Sequence, residues 1–290
     1  MKKLGLGIFV LVLIGVTLTG CQSMMPTASP TPPPTPTLIA GQYTYDDLVQ
    51  VFEYDLQALL DIRKVSVADK EDGVEVHDIS YMGAPDYRVP AFLVVPPGEG
   101  PFAGVLFMHQ GFGSRSSFLN EAIDLANKGV VSLLVHHGTW RPDPDNYRRI
   151  VVSLRRGADL LTQRPDVDSS RLGYVGHSWG ATFGGILADI DKRFQTYILM
   201  AGVPSFSEVW ERDDLVPFDG VHYIGHAEPV PLFFQLANND EYVSREAALE
   251  YYEAASEPKH ITWYDTTHFF VNAEAQQDRL EWLSWELDLP

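Results

Sequence analysis

The stretch Arg171-Leu172-Gly173-Tyr174-Val175-Gly176-His177-Ser178-Trp179-Gly180-Ala181-Thr182-Phe183-Gly184-Gly185 decides the fold. Its first five residues form a short apolar run that predicts a buried strand, and the small residues from Ala181 onward open a predicted helix over 181–190. Between them stands Gly-x-Ser-x-Gly. A serine on so sharp a turn carries its hydroxyl above the carboxyl edge of a sheet, and side chains at Gly176 or Gly180 would collide with the adjoining strand and helix. The helix start beneath it favours negative charge developing above. Ser178 is therefore the candidate nucleophile.

Outward from this turn, strands and helices alternate. Apolar runs at 74–81, 88–95, 103–108, 130–135, 171–175, 197–200, 232–236 and 260–264 predict strands. Helical spacing marks 43–60, 116–128, 147–161, 181–190, 245–255 and 273–287. The alternation predicts an α/β fold, a mostly parallel central sheet with helices on both faces. Residues 202–229 break it with a loop-rich excursion that includes Phe206, Trp210 and Phe218, the composition of a lid or binding loop.

A serine nucleophile needs a histidine base and an acid to orient it, in the chain order Ser, Asp/Glu, His. The run 231–240 is a predicted buried strand ending in Asp240, with Glu241 as the neighbouring competitor. Asp240 is preferred because it comes off the strand first. The following strand and loop deliver His268. An oxyanion needs two donors. The backbone N–H of Trp179 is one candidate, and the loop His109-Gln110-Gly111-Phe112-Gly113 offers Gly111 as the other, with Gln110 close behind. His109 is placed to brace that loop, and His177 to pack beside the serine.

The aromatic residues Phe112, Trp140, Trp179, Trp210, Tyr242 and Phe269 fall in or beside the loops expected at the catalytic edge. With Gln110 they form the candidate pocket, suited to a neutral or apolar group. His136-His137 and the pair His222 and His226 raise the question of a metal. No His-Glu-x-x-His pattern accompanies them, so no metal is expected. A covalent acyl-enzyme route needs no organic cofactor either.

Of the 290 residues, 45% are hydrophobic and 21% charged, and the formal net charge is −18. Such a surface repels nucleic acid and anionic headgroups, which excludes both as direct partners. The chain begins Met1-Lys2-Lys3, followed by an apolar run over 4–18 and then Leu18-Thr19-Gly20-Cys21. That run is short of the about 20 residues of a spanning helix. It predicts a secretory signal over 1–20. The last four residues resemble the lipobox of bacterial lipoproteins, which implies a lipidated Cys21, a membrane anchor and an extracytoplasmic location. Residues 21–41 are rich in proline and threonine and form an extended tether, leaving the domain over 42–290.

From about residue 89 to 268 the chain resembles the α/β-hydrolase superfamily, near dienelactone hydrolases and acetyl-xylan-esterase-like enzymes. The matching residues are His109-Gln110-Gly111-Phe112-Gly113, Gly176-His177-Ser178-Trp179-Gly180, Asp240 and His268. The resemblance implies ester hydrolysis. Dienelactone hydrolases carry cysteine where Ser178 stands, glutamate where Gln110 stands, and an arginine soon after the catalytic histidine, where this chain has Phe269-Phe270-Val271. Arg141 lies in a loop where that family places a substrate-binding arginine, but reads better as a surface residue. These departures remove the dienelactone itself as the expected substrate. Three functions remain open: a carboxylesterase for small neutral esters, a peptidase or amidase with the same triad, and a non-catalytic surface-binding lipoprotein.

Overall fold

The computed structural model describes residues 43–69, 71–85, 87–138 and 141–290. The segments expected to be a signal and a tether, Cys21 and the candidate pocket residue Trp140 lie outside the described residues.

Nine strands form one sheet: β1 Arg63–Asp69, β2 Glu75–Met82, β3 Arg88–Val95, β4 Phe102–Met108, β5 Val130–Val135, β6 Val167–His177, β7 Phe194–Met200, β8 Leu232–Asn239 and β9 Lys259–Thr267. Their spatial order is β1-β2-β3-β5-β4-β6-β7-β8-β9. The first three strands meander antiparallel, and β3 joins β5 antiparallel. From β5 to β9 every pairing is parallel. This is why β4, β5 and the second half of β7 read as dominantly apolar runs: both faces of a parallel sheet are covered.

The helices are α1 Tyr45–Gln50, α2 Leu119–Ala126, α3 Pro144–Thr162, α4 Trp179–Ile190, α5 Phe206–Trp210, α6 Arg245–Ala254 and α7 Ala273–Glu286. One face of the sheet packs on α2 and α7 through Ala122, Leu125, Ala275 and Leu283. The other packs on α3, α4 and α6 through Ile150, Leu154, Phe183, Leu187 and Tyr251. Residues 202–229 join this second layer as α5 and three short 3₁₀ turns, with Phe206, Phe218, Tyr223 and Ile224 buried in its core.

The chain winds outward from β4 in both directions, since β4 lies between β5 and β6. A crevice forms at the carboxyl ends of strands where the order reverses, and ligands of open α/β sheets bind there. The loop after β4 carries 109–113, and the turn after β6 carries Ser178.

Two expectations need correction. The helix expected over 43–60 stops at Gln50, and Leu56 and Leu59 are exposed. Their spacing is helical, but neither leucine is buried, and a helix whose apolar face is not packed is held only by its own weak propensity. Strand β1 is an edge strand that the sequence does not announce. Val65 and Val67 point to solvent, so no apolar run marks it.

Candidate active site

Strand β6 ends at His177 and α4 begins at Trp179, leaving Ser178 alone to turn the chain. Its backbone sits at φ 56°, ψ −113°, a region that non-glycine residues rarely adopt and that serves here to project the side chain. The surroundings enforce the turn. The Ser178 N–H donates to the Met200 carbonyl at 2.7 Å, and the Tyr174 hydroxyl donates to the Gly180 carbonyl at 2.7 Å. A Cβ on Gly176 would overlap the Gly180 carbonyl, and one on Gly180 would overlap the Met108 carbonyl of β4. Both glycines are therefore required by close backbone approach.

Asp240 follows β8 directly. Its carboxylate oxygens each lie 2.9 Å from Nδ1 of His268, and Oδ1 also accepts the N–H groups of Tyr242 and Val243. Burial pushes the Asp240 carboxyl up, but the bonds from His268, Val243 and Tyr242 outweigh it and hold the group below its ordinary range. Because a carboxylate only accepts, Nδ1 of His268 is the donor to Asp240, the tautomer whose neutral ring has its lone pair on Nε2. Glu241 serves the same residue differently, accepting the His268 main-chain N–H at 3.2 Å. Of the two acids, Asp240 is thus the one facing the imidazole.

The nucleophile turn is tied to the histidine loop through His177. Its Nε2 donates to the His268 carbonyl at 2.7 Å, and the two rings lie 5.2 Å apart. Burial, and next the His268 charge, lower the His177 pKa to about 3, so the ring stays neutral. The sequence marked His177 only as a packed neighbour, and its link across 91 residues becomes visible in the fold.

The loop over 109–113, the candidate for the second oxyanion donor, abuts this turn. A Cβ on Gly111 would lie 3.1 Å from Cε2 of the Trp179 indole. The Gln110 carbonyl accepts His109 Nδ1 at 2.6 Å, the Gly113 N–H at 2.9 Å and His137 Nε2 at 3.4 Å. The Trp179 indole, half-buried, meets Tyr147, Phe206 and Trp210 at ring distances of 5.6, 5.6 and 6.2 Å. Tyr242 and Phe269 stand 5.0 and 5.9 Å from the His268 ring. Phe112 is 80% exposed, Tyr242 65% and Phe269 49%. Arg141 is exposed. His222 and His226 pack against Tyr43 and Tyr45, on the N-terminal segment of the domain. Among the described residues no three His, Cys, Asp or Glu side chains gather as a metal ion would need.

The sheet order together with a serine turn at its switch point defines the α/β-hydrolase fold. The fold is shared with the acetyl xylan esterase from Paenibacillus sp. R4, at a TM-score of 0.70 and 16% identity over 84% of this chain and 93% of that one. In sequence, the chain is 28% identical over 120 residues to bile acid-CoA:amino acid N-acyltransferase of Mus musculus, covering 41% of this chain and 28% of that protein. It is 26% identical over 153 residues to esterase EstD of Thermotoga maritima, covering 48% and 35%. The chain thus spans about a third of the length of these two relatives. No protein-family profile matches it.

Proposed function

We propose that this chain is a serine carboxylesterase acting on small neutral esters by an acyl-enzyme route. The observation that carries the reading is the Asp240–His268 pair, 2.9 Å apart and tied through His177 to the strained turn of Ser178. In the proposed cycle Nε2 of His268 takes the Ser178 hydroxyl proton as the oxygen attacks the ester carbonyl. The imidazolium so formed is stabilised by Asp240, whose carboxylate is ionised. The N–H groups of Trp179 and Gly111 receive the oxyanion. His268 then protonates the departing alcohol, and water repeats the sequence on the acyl-enzyme.

Since His268 hands its proton to the leaving group, the side chains beside it border the alcohol. These are Tyr242 and Phe269, exposed and apolar, which suits a neutral alcohol of some bulk. The net charge of −18 opposes anionic esters. Leu18-Thr19-Gly20-Cys21 supports a lipid-anchored protein working outside the cytoplasm.

The test is turnover of p-nitrophenyl acetate by the full chain in detergent, beside the matching anilide. Ester hydrolysis lost in Ser178→Ala is the expected outcome. Faster anilide cleavage would transfer the reading to an amidase, and no turnover of either would remove it. Metabolic labelling with palmitate, lost in Cys21→Ala, checks the anchor.

A further inference from the structure

Three imidazoles that the proposed triad does not use are stacked behind the oxyanion loop. His109 follows β4, and His136 and His137 follow β5, the parallel neighbour of β4. The rings of His109 and His137 are 4.3 Å apart, those of His109 and His136 are 5.2 Å apart, and His137 stacks on Trp179 at 5.8 Å. His109 and His137 are buried, at 1% and 4% exposure.

Their hydrogen bonds fix one proton arrangement. The Gln110 carbonyl can only accept: the Gly113 N–H reaches it at 2.9 Å, and His109 Nδ1 at 2.6 Å and, at longer range, His137 Nε2 at 3.4 Å donate to it as well. In a neutral ring that leaves His109 Nε2 as an acceptor. Its partner is His136 Nδ1 at 3.1 Å, which must therefore carry a proton. A proton on His109 Nε2 would face the proton of His136, and burial first, then the charge of His137, lower the His109 pKa to about 3.

The consequence falls on the next N–H. A trans peptide points its C=O and N–H in opposite directions. The two imidazoles, together with the Gly113 N–H, hold the Gln110 carbonyl and so point the Gly111 N–H the opposite way, and Gly111 itself rests against Trp179, the residue after Ser178. We propose that His136 and His137, acting with His109, are positioning residues that lock the Gln110–Gly111 peptide so that the Gly111 N–H is preset as an oxyanion donor. The proposal rests on the esterase reading for its effect on rate, but the proton arrangement stands without it.

Two measurements on the full chain in detergent separate these. Long-range ¹H–¹⁵N spectra of the histidine side chains at pH 7 are expected to show neutral rings protonated at Nδ1 in His109, at Nδ1 in His136 and at Nε2 in His137. Any other tautomer at His109 or His137 overturns the relay, whatever the activity. In kinetics on p-nitrophenyl acetate, His137→Ala is expected to lower kcat about 10- to 100-fold with KM nearly unchanged, a fraction of what deleting an oxyanion donor costs. His137→Gln, whose amide N–H can replace the donor, is expected to recover most of that loss. A kcat unchanged in His137→Ala, or a loss in KM alone, overturns the proposal. Should His137→Ala fail to fold, His137→Gln and the tautomer spectrum decide. An unsubstituted chain with no turnover would remove the esterase reading while leaving the spectrum to judge the relay.

Discussion

At the scale of single residues, the proposed chemistry depends on one hydrogen-bonded pair held by its neighbours. Asp240 spends its lone pairs on His268 Nδ1 and on the N–H groups of Tyr242 and Val243. Replacing it by asparagine offers His268 an amide in place of a carboxylate, favours the wrong tautomer and removes the charge that stabilises the imidazolium. Asp240→Asn is expected to lower kcat on p-nitrophenyl acetate on the order of 10³- to 10⁴-fold with the fold intact. A loss below about tenfold would move the acid's role to another residue. Glu241→Gln, which keeps an acceptor for the His268 main-chain N–H, is expected to retain activity within a few fold, and steady-state kinetics check both. The site residues were legible from the sequence to different depths. Ser178 announces itself because the glycines that permit its turn are adjacent to it. The choice between Asp240 and Glu241 turned on which carboxylate reaches the ring, a fact of loop geometry. His136, His137 and His177 act through partners 27 and 91 residues away, and no local pattern records such contacts.

At the scale of elements, the turn between β6 and α4 is over-determined. The backbone atoms that a Cβ would strike at Gly176 and Gly180 belong to α4 and to β4, and backbone gives way less readily than a side chain. Gly180→Ala is therefore expected to destabilise the domain by about 3 kcal/mol or more, with a fall in soluble yield and in the thermal midpoint. A midpoint within a degree or two of the unsubstituted chain would contradict the packing described. Strands β4 to β8 are readable because burial on both faces gives each a mostly apolar stretch, though in β6 and β7 it begins only after a polar start and in β8 it ends before the last two residues. Strand β1 was not, because it has only one sheet neighbour and its valines face solvent. The overlong helix at 43–60 fails for the converse reason. Spacing tells which side chains could share a face, while Leu48 and Phe52 bury and Leu56 and Leu59 do not. Local pattern thus located the core elements, and tertiary contacts set the periphery.

At the scale of the whole molecule, buried charge and buried neutral imidazoles set how stability responds to change. Arg279 of α7 meets Glu121 of α2 at 2.7 Å and the Gln235 side chain of β8 at 2.9 Å, with Arg279 and Glu121 at 4% and 7% exposure. Removing one partner leaves the other charge buried and unpaired. Glu121→Ala is expected to cost about 3–5 kcal/mol by chemical denaturation, whereas a loss near zero would mean the guanidinium finds water. His109 and His177 are pushed by burial from an ordinary value of 6.5 to about 3. The unfolded chain then binds protons that the folded chain refuses, so stability falls as pH drops from 6.5 toward 3. Each ring contributes a slope of up to about 1.4 kcal/mol per pH unit. Denaturation midpoints at pH 7.5, 6 and 5 should decline accordingly, and a flat profile would contradict the neutral, buried state of both rings.

All three scales converge on the oxygen of Ser178. The most direct measurement is reaction of the full chain with a fluorophosphonate followed by peptide mass mapping. One adduct per chain on the peptide containing Ser178, absent in Ser178→Ala and formed far more slowly in Asp240→Asn, is the predicted result. No adduct on that peptide, or an adduct that survives Ser178→Ala, would contradict the account.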